Sequence, residues 1–117
     1  MAGLTTEGGM LTARFSFPPE FIGFQGHFPG KSILPGVCQI QSLLCMLEQG
    51  SGKAVVLKEI ELAKYFSPVS PREEVVCNVR EFGDATGERT VKAVITKETV
   101  KVAEMKLRVS FIEKGGK

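Results

Sequence analysis

The chain has 117 residues, 43% of them hydrophobic, with a mean hydropathy of +0.06 and a formal net charge of +2 at pH 7. That length holds one domain with a single core. The apolar share excludes a disordered chain, and the small, dispersed charge leaves no basic run of the kind that binds nucleic acid.

Residues 11–17 alternate, with Leu11, Ala13, Phe15 and Phe17 apolar and Thr12, Arg14 and Ser16 polar, which predicts a half-buried strand. Pro18 and Pro19 end it, and the proline- and glycine-rich stretch to residue 35 predicts a loop with at most a short helical turn from Glu20 to Phe24. Between Gly36 and Gln49, Val37, Ile40, Leu43, Leu44 and Leu47 recur at helical spacing. Cys38, Cys45 and Met46 widen that face, predicting a helix buried on most sides and stopped by Gly50-Ser51-Gly52. A long strand is expected over 54–66, with a bulge where its alternation slips near Glu59, followed by a rigid turn over Ser67–Pro71. Strands are expected over 74–82, 89–97 and 101–112, with a loop between Gly83 and Gly87 and a turn at Thr99-Val100. Gly115-Gly116-Lys117 reads as a frayed end. One apolar helix followed by a meander of antiparallel strands implies an α+β domain in which a curved sheet wraps the helix.

The start, Met1 to Glu7, has no basic segment followed by an apolar one, and no apolar run reaches membrane-spanning length. The expectation is a cytoplasmic protein with no membrane or nucleic-acid partner. Cys38, Cys45 and Cys77 form no CxxC pair, and their odd number suits a reducing compartment and packed thiols. With a single histidine and no cysteine cluster, neither a metal nor another cofactor is expected.

That single histidine, His27, sits in Gly26-His27-Phe28-Pro29-Gly30-Lys31-Ser32-Ile33-Leu34-Pro35-Gly36-Val37, just ahead of two Pro-Gly pairs and the predicted helix. Of the ordinary side chains, only histidine has an unperturbed pKa near neutrality, roughly 6.5, so it can both take and give a proton there. The stretch resembles the His-Phe-Pro-Gly-x-Pro-φ-x-Pro-Gly-φ signature of the 3-hydroxyacyl-ACP dehydratases, which have the hot-dog fold, with Ser32 replacing a proline. Ala63-Lys64-Tyr65-Phe66-Ser67-Pro68-Val69-Ser70-Pro71 is similar to that family's Ala-x-Phe-x-x-Pro-Val-x-Pro segment.

The resemblance implies a hot-dog domain in a homodimer or higher even oligomer. It further implies a site at the subunit interface and a substrate acyl group carried by acyl carrier protein or CoA. His27 would be the base that removes the C2 proton. The N–H of Gly36, at a helix start, would donate to the thioester carbonyl, and the Ile33 carbonyl would fix the imidazole tautomer. Phe28, Pro29, Gly30, Ile33, Leu34, Pro35, Val37 and Phe66 would border the substrate, with Phe21 and Phe24 as further candidates for an acyl tunnel; each of these apolar residues also suits a plain core. Lys31, Lys64 and Arg72 would meet an acidic carrier protein or a phosphate, or serve as ordinary surface charges.

The family's second catalytic group is a Glu or Asp fourteen residues after the histidine, and here that position is Gln41; the family's Gln four residues further on is Cys45. An amide donates a hydrogen bond but no ionisable proton, so the resemblance implies slow dehydration. Gln41 is equally suited to holding the helix to its surroundings. Two other functions stay open: a hot-dog thioesterase in which Gln41 orients water, and a non-catalytic acyl-carrier-binding or structural subunit that pairs with a catalytic partner. Glu48, about two helical turns past Gln41, and Glu59 and Glu61 on the following strand are the carboxylates near enough in sequence to consider as substitutes.

Overall fold

The alternation along the strands decides which side of the sheet meets the helix. A computed structural model of the chain describes residues 2–7, 9–17, 36–70, 72–80 and 86–113. The elements are β1 (Ala2–Glu7), β2 (Met10–Phe15), α1 (Gly36–Ser51), β3 (Ala54–Tyr65), β4 (Val75–Arg80), β5 (Gly87–Lys97) and β6 (Val100–Ile112). The six strands form one sheet in the order β1-β2-β4-β5-β6-β3, antiparallel throughout.

One face of the sheet is apolar. Leu11 and Ala13 of β2, Val75, Cys77 and Val79 of β4, Val91, Ala93 and Ile95 of β5, and Met105, Leu107 and Val109 of β6 are all buried. They join Ile40, Leu43, Met46 and Leu47 of α1 in a single core. Each large side chain removed from water there contributes roughly 1.5–3 kcal/mol. The other face carries Thr12, Asn78, Arg80, Lys92, Lys106 and Arg108, as the period of two requires.

The helix lies antiparallel to β3. At its start Gly36 abuts Tyr65 at the end of β3, and near its end a Glu48 carboxylate oxygen accepts from the Val55 N–H at 3.1 Å. Gly52, with φ +71°, donates to the Glu48 carbonyl at 2.8 Å and closes the helix in the left-handed conformation that glycine permits. Register shifts between Leu57 and Glu59 and between Ile60 and Leu62 place two bulges in β3, the first where the alternation slips. The segment after β3 is pinned: Val69 is fully buried, and the N–H groups of Phe66 and Ser67 share the Val102 carbonyl.

The structure departs from the sequence-based expectations in four places. A further strand, β1, precedes the expected first one; Gly3 and the polar Thr5-Thr6-Glu7 give it no apolar alternation, and it forms by pairing along β2. The last turn is centred on Glu98 and Thr99, since Val100 already pairs with Lys97. Gly87 opens β5 rather than lying in the loop before it. In the single chain the helix is not buried on most sides: Val37, Gln41, Cys45 and Gln49 form an exposed stripe at fourfold spacing, because the sheet covers only the opposite side. The expected helical turn at Glu20–Phe24, Gly83 and the Gly115–Lys117 end lie outside the described residues.

Candidate active site at the helix start

The first turn of α1 is where the described part of the chain holds two of the residues that the resemblance singles out, Gly36 and Val37. Gly36 opens a 16-residue helix whose first turn carries no acidic residue. The unpaired N–H groups of that turn, together with the helix dipole, favour a negative charge placed there. Gly36 also has no room for a side chain: a β-carbon on it would stand 2.6 Å from both Cζ and the hydroxyl oxygen of Tyr65. The phenol therefore closes against the helix start. Partial burial pushes its pKa up, so it remains a neutral hydrogen-bond donor and acceptor at physiological pH.

Gln41 lies on the exposed stripe, about 7.5 Å further along the axis from Gly36 by the helical rise. Its amide makes no hydrogen bond among the described residues. Val37, one turn before it on the same stripe, is 64% exposed. Thus Val37 and Gln41 share the exposed side near the helix start, while Gly36 faces Tyr65 of β3.

Phe66 is placed differently. Its ring is exposed and lies beneath the Lys101 ammonium, 5.6 Å from the ring centroid. It is Tyr65 rather than Phe66 that touches Gly36. Tyr65 takes the position of the phenylalanine in the Ala-x-Phe-x-x-Pro-Val-x-Pro segment, which is the signal that singles it out. Lys64 and Arg72 are exposed, and the Arg72 N–H donates to the Phe17 carbonyl at 2.8 Å. His27, Phe28, Pro29, Gly30, Ile33, Leu34 and Pro35, with Phe21, Phe24 and Lys31, lie outside the described residues.

The three carboxylates considered as substitutes for an acid are engaged elsewhere. Glu48 ties the helix to Val55. Glu59 binds the Arg108 guanidinium at 2.7 Å on the outer face of the sheet, and Glu61 lies 3.8 Å from the same group. No carboxylate lies on the stripe of Val37, Gln41, Cys45 and Gln49. A second amide, unremarked in the sequence, is buried one residue before Ile40: Gln39 is 5% exposed, and its Oε1 has no partner among the described residues. No helix among the described residues is long and apolar enough to cross a membrane.

Comparison with known proteins places the chain in a family. The 3-hydroxyacyl-[acyl-carrier-protein] dehydratase FabZ of Bartonella quintana is 31% identical over 98 residues, covering 77% of this chain and 63% of that protein. The chain thus spans less than two thirds of that relative. FabZ of Fusobacterium nucleatum is 33% identical over 96 residues, covering 70% of this chain and 68% of that protein. Among solved structures, the dehydratase heterocomplex ApeI:P from Xenorhabdus doucetiae shares the fold with a TM-score of 0.74 at 17% identity, covering 89% of each chain. The family model described as ApeI-like, ApeI dehydratase, matches residues 4–106. With one helix held by a six-stranded antiparallel sheet and that match along most of its length, the chain belongs to the ApeI-like dehydratases, hot-dog proteins related to FabZ.

Proposed function

We propose that this chain acts on 3-hydroxyacyl thioesters carried by acyl carrier protein, or by CoA, as a slow dehydratase whose usual acid is replaced by Gln41. The observation that carries this reading is the position of Gln41: exposed, one turn along the stripe from Val37, with no carboxylate on that stripe. In this scheme neutral His27 takes the C2 proton. The helix start at Gly36 donates an N–H to the thioester oxygen as enolate charge develops. Gln41 hydrogen-bonds the C3 hydroxyl. The C3–O bond then breaks, the leaving hydroxide takes the proton from the His27 imidazolium, and water and the enoyl thioester remain. One histidine thus serves both proton transfers. The missing acid costs a rate factor of about 10²–10⁴.

Phe28, Pro29, Gly30, Ile33, Leu34, Pro35, Val37 and Phe66 border the acyl thioester in this reading, and no metal or other cofactor takes part. The stripe of Val37, Gln41, Cys45 and Gln49 faces the same stripe of a second copy, making a dimer in the cytoplasm. Cys45 supplies the test of that arrangement: it is exposed in the single chain, so a facing helix would protect it from a thiol reagent.

A second reading is favoured by the amide itself and by the heterocomplex among the similar structures. A partner chain bearing the acid would complete a site with His27, leaving this chain a structural or carrier-binding subunit. A turnover assay separates the readings. Crotonyl and 3-hydroxybutyryl thioesters, on carrier protein and on CoA, are offered to the native chain, His27→Ala and Gln41→Glu, with enoyl absorbance and free thiol followed together. Slow enoyl formation that His27→Ala abolishes and Gln41→Glu accelerates supports the dehydratase. Free thiol without enoyl product replaces it with a thioesterase. A silent native chain awakened by Gln41→Glu favours the heterocomplex.

A further inference from the structure

Gln39 is the one buried polar side chain among the described residues. It is 5% exposed, and its Oε1 has no hydrogen-bond partner among them. The other two glutamines of α1, Gln41 and Gln49, are exposed. A buried amide without a partner is costly to a fold, because it gives up its hydrogen bonds to water and gains none in return. The place of Gln39 in the fold indicates what kind of donor would complete it.

Helical side chains lean back over the turn that precedes them, so the Gln39 amide covers the first turn of α1, next to Gly36. It does so on the inner side of the helix, with Ile40 and Leu43, and away from the exposed stripe of Val37 and Gln41. Further along that inner side, a β-carbon on Gly50 would stand 2.9 Å from Leu11, so this side of the helix meets β2. The strand pairings make β2 parallel to β3 and hence antiparallel to the helix. Gln39 lies about 16 Å before Gly50 by the helical rise. About five strand residues cover that distance, which brings Gln39 toward the Phe15 end of β2. There Phe15 stacks on Phe17, with ring centroids 6.5 Å apart and 9° between the planes. The inner side of the helix start thus combines free N–H groups, one unpartnered amide and aromatic surface.

We propose that Gln39 determines specificity at the acyl site: its amide oxygen accepts a hydrogen bond from a hydroxyl carried on the acyl chain beyond C3. The ligand class is a thioester whose chain is mostly apolar and bears one further hydroxyl. This inference rests on the acyl-thioester reading of the helix start. Residues three apart on a helix stand about 5–6 Å from one another. A thioester oxygen held by the Gly36 N–H therefore leaves Gln39 within reach of a group several carbons along the chain. A plain hydrocarbon at that point leaves the amide unpaired, whereas a hydroxyl pairs it.

The test measures binding rather than turnover, by calorimetric titration of the full chain with hexanoyl-CoA, octanoyl-CoA, 6-hydroxyhexanoyl-CoA and 8-hydroxyoctanoyl-CoA. None of these carries a C3 hydroxyl, so none can be dehydrated. At one of the two lengths the hydroxylated ester should bind about tenfold tighter than its plain counterpart. Gln39→Met keeps the length of the side chain and removes both polar atoms. It should erase that preference, leave binding of the plain esters intact, and give a Tm equal to or above the native value, since an unpaired buried amide has been removed. Equal binding of plain and hydroxylated esters at both lengths overturns the proposal and leaves the acyl-thioester reading standing. So does a preference that survives Gln39→Met. A clear fall in Tm in Gln39→Met also overturns it, by showing that the amide is bonded within the fold. Failure of all four esters to bind overturns the acyl-thioester reading and this inference together.

Discussion

Gly36→Ala probes the contact that shapes the candidate site. The added β-carbon would lie 2.6 Å from Cζ and from the hydroxyl oxygen of Tyr65, where ordinary contact needs about 3.5–4 Å. The phenol must retreat by about 1 Å or more, or the helix start must lift from β3. Gly36 does not have a positive φ, so its own backbone accepts alanine. The whole objection therefore comes from one ring. That ring is 46% exposed and can swing outward, so the cost belongs at the lower end of the overpacking range, about 1–2 kcal/mol. For a domain of this size that is roughly 3–10 °C in Tm. In a Tyr65→Ala background the obstacle is gone, and the same Gly36→Ala change should become neutral or stabilise by up to about 1 kcal/mol. Urea unfolding of the four proteins in the cycle, followed by far-UV circular dichroism, gives the coupling directly. If Gly36→Ala costs the same with and without the Tyr65 ring, the phenol does not close against the helix start and the described packing of the site is wrong.

Other outcomes follow from the core and the surface charges. Leu47→Ala, at a fully buried helix position, should lower stability by about 3–5 kcal/mol in urea titration, and a loss under 1 kcal/mol would contradict the described core. Burial pushes the Cys77 thiol up to about 12, so a thiol reagent at pH 8 should leave it unmodified until denaturant is added; rapid labelling of native Cys77 would show that β4 is open. The Glu73 carboxyl is held below its usual pKa first by the Ser70 N–H and then by Lys97. Its folded pKa is therefore depressed, so its contribution is present above the unfolded value and is lost as pH falls through the folded one. Because the pair is partly exposed, Glu73→Gln should cost only about 0.5 kcal/mol at pH 7, and the gap from the native protein should close in acid. A gap that widens on acidification would reverse the sign of that argument.

Much of this architecture is legible in the residues, and the exceptions have physical causes. Ala103, Met105, Leu107, Val109 and Phe111 announce β6 because one side of a half-covered sheet must be apolar. Thr5, Thr6 and Glu7 announce nothing, since β1 is an edge strand that makes its ladder with β2 without contributing an apolar row. Val37 and Cys45 read as core, yet they are exposed in the single chain, because apolar periodicity marks a face as apolar without recording whether the chain's own sheet reaches it. The helix start and Gln41 can be located by counting from His27, whereas the contact of Tyr65 with Gly36 joins residues far apart in sequence and appears only once β3 runs back along the helix. The engagement of Glu59 and Glu61 by Arg108 likewise requires the register of β3 against β6.

The two bulges of β3 carry a consequence for insertions and deletions. Its twelve residues climb only ten rungs of β6, because Lys58 and Glu61 have no partner there. Removing either residue alone would keep every remaining pair in place while erasing one bend, and removing both would leave a regular ten-residue strand with its inward side chains intact. Such a strand would lie straighter beside a helix that needs it bent. The curvature that lets β3 meet both Gly36 and Glu48 is therefore held in two residues of surplus length, and a shortened chain would lose the fit at one end of the helix before it lost a single rung of the ladder.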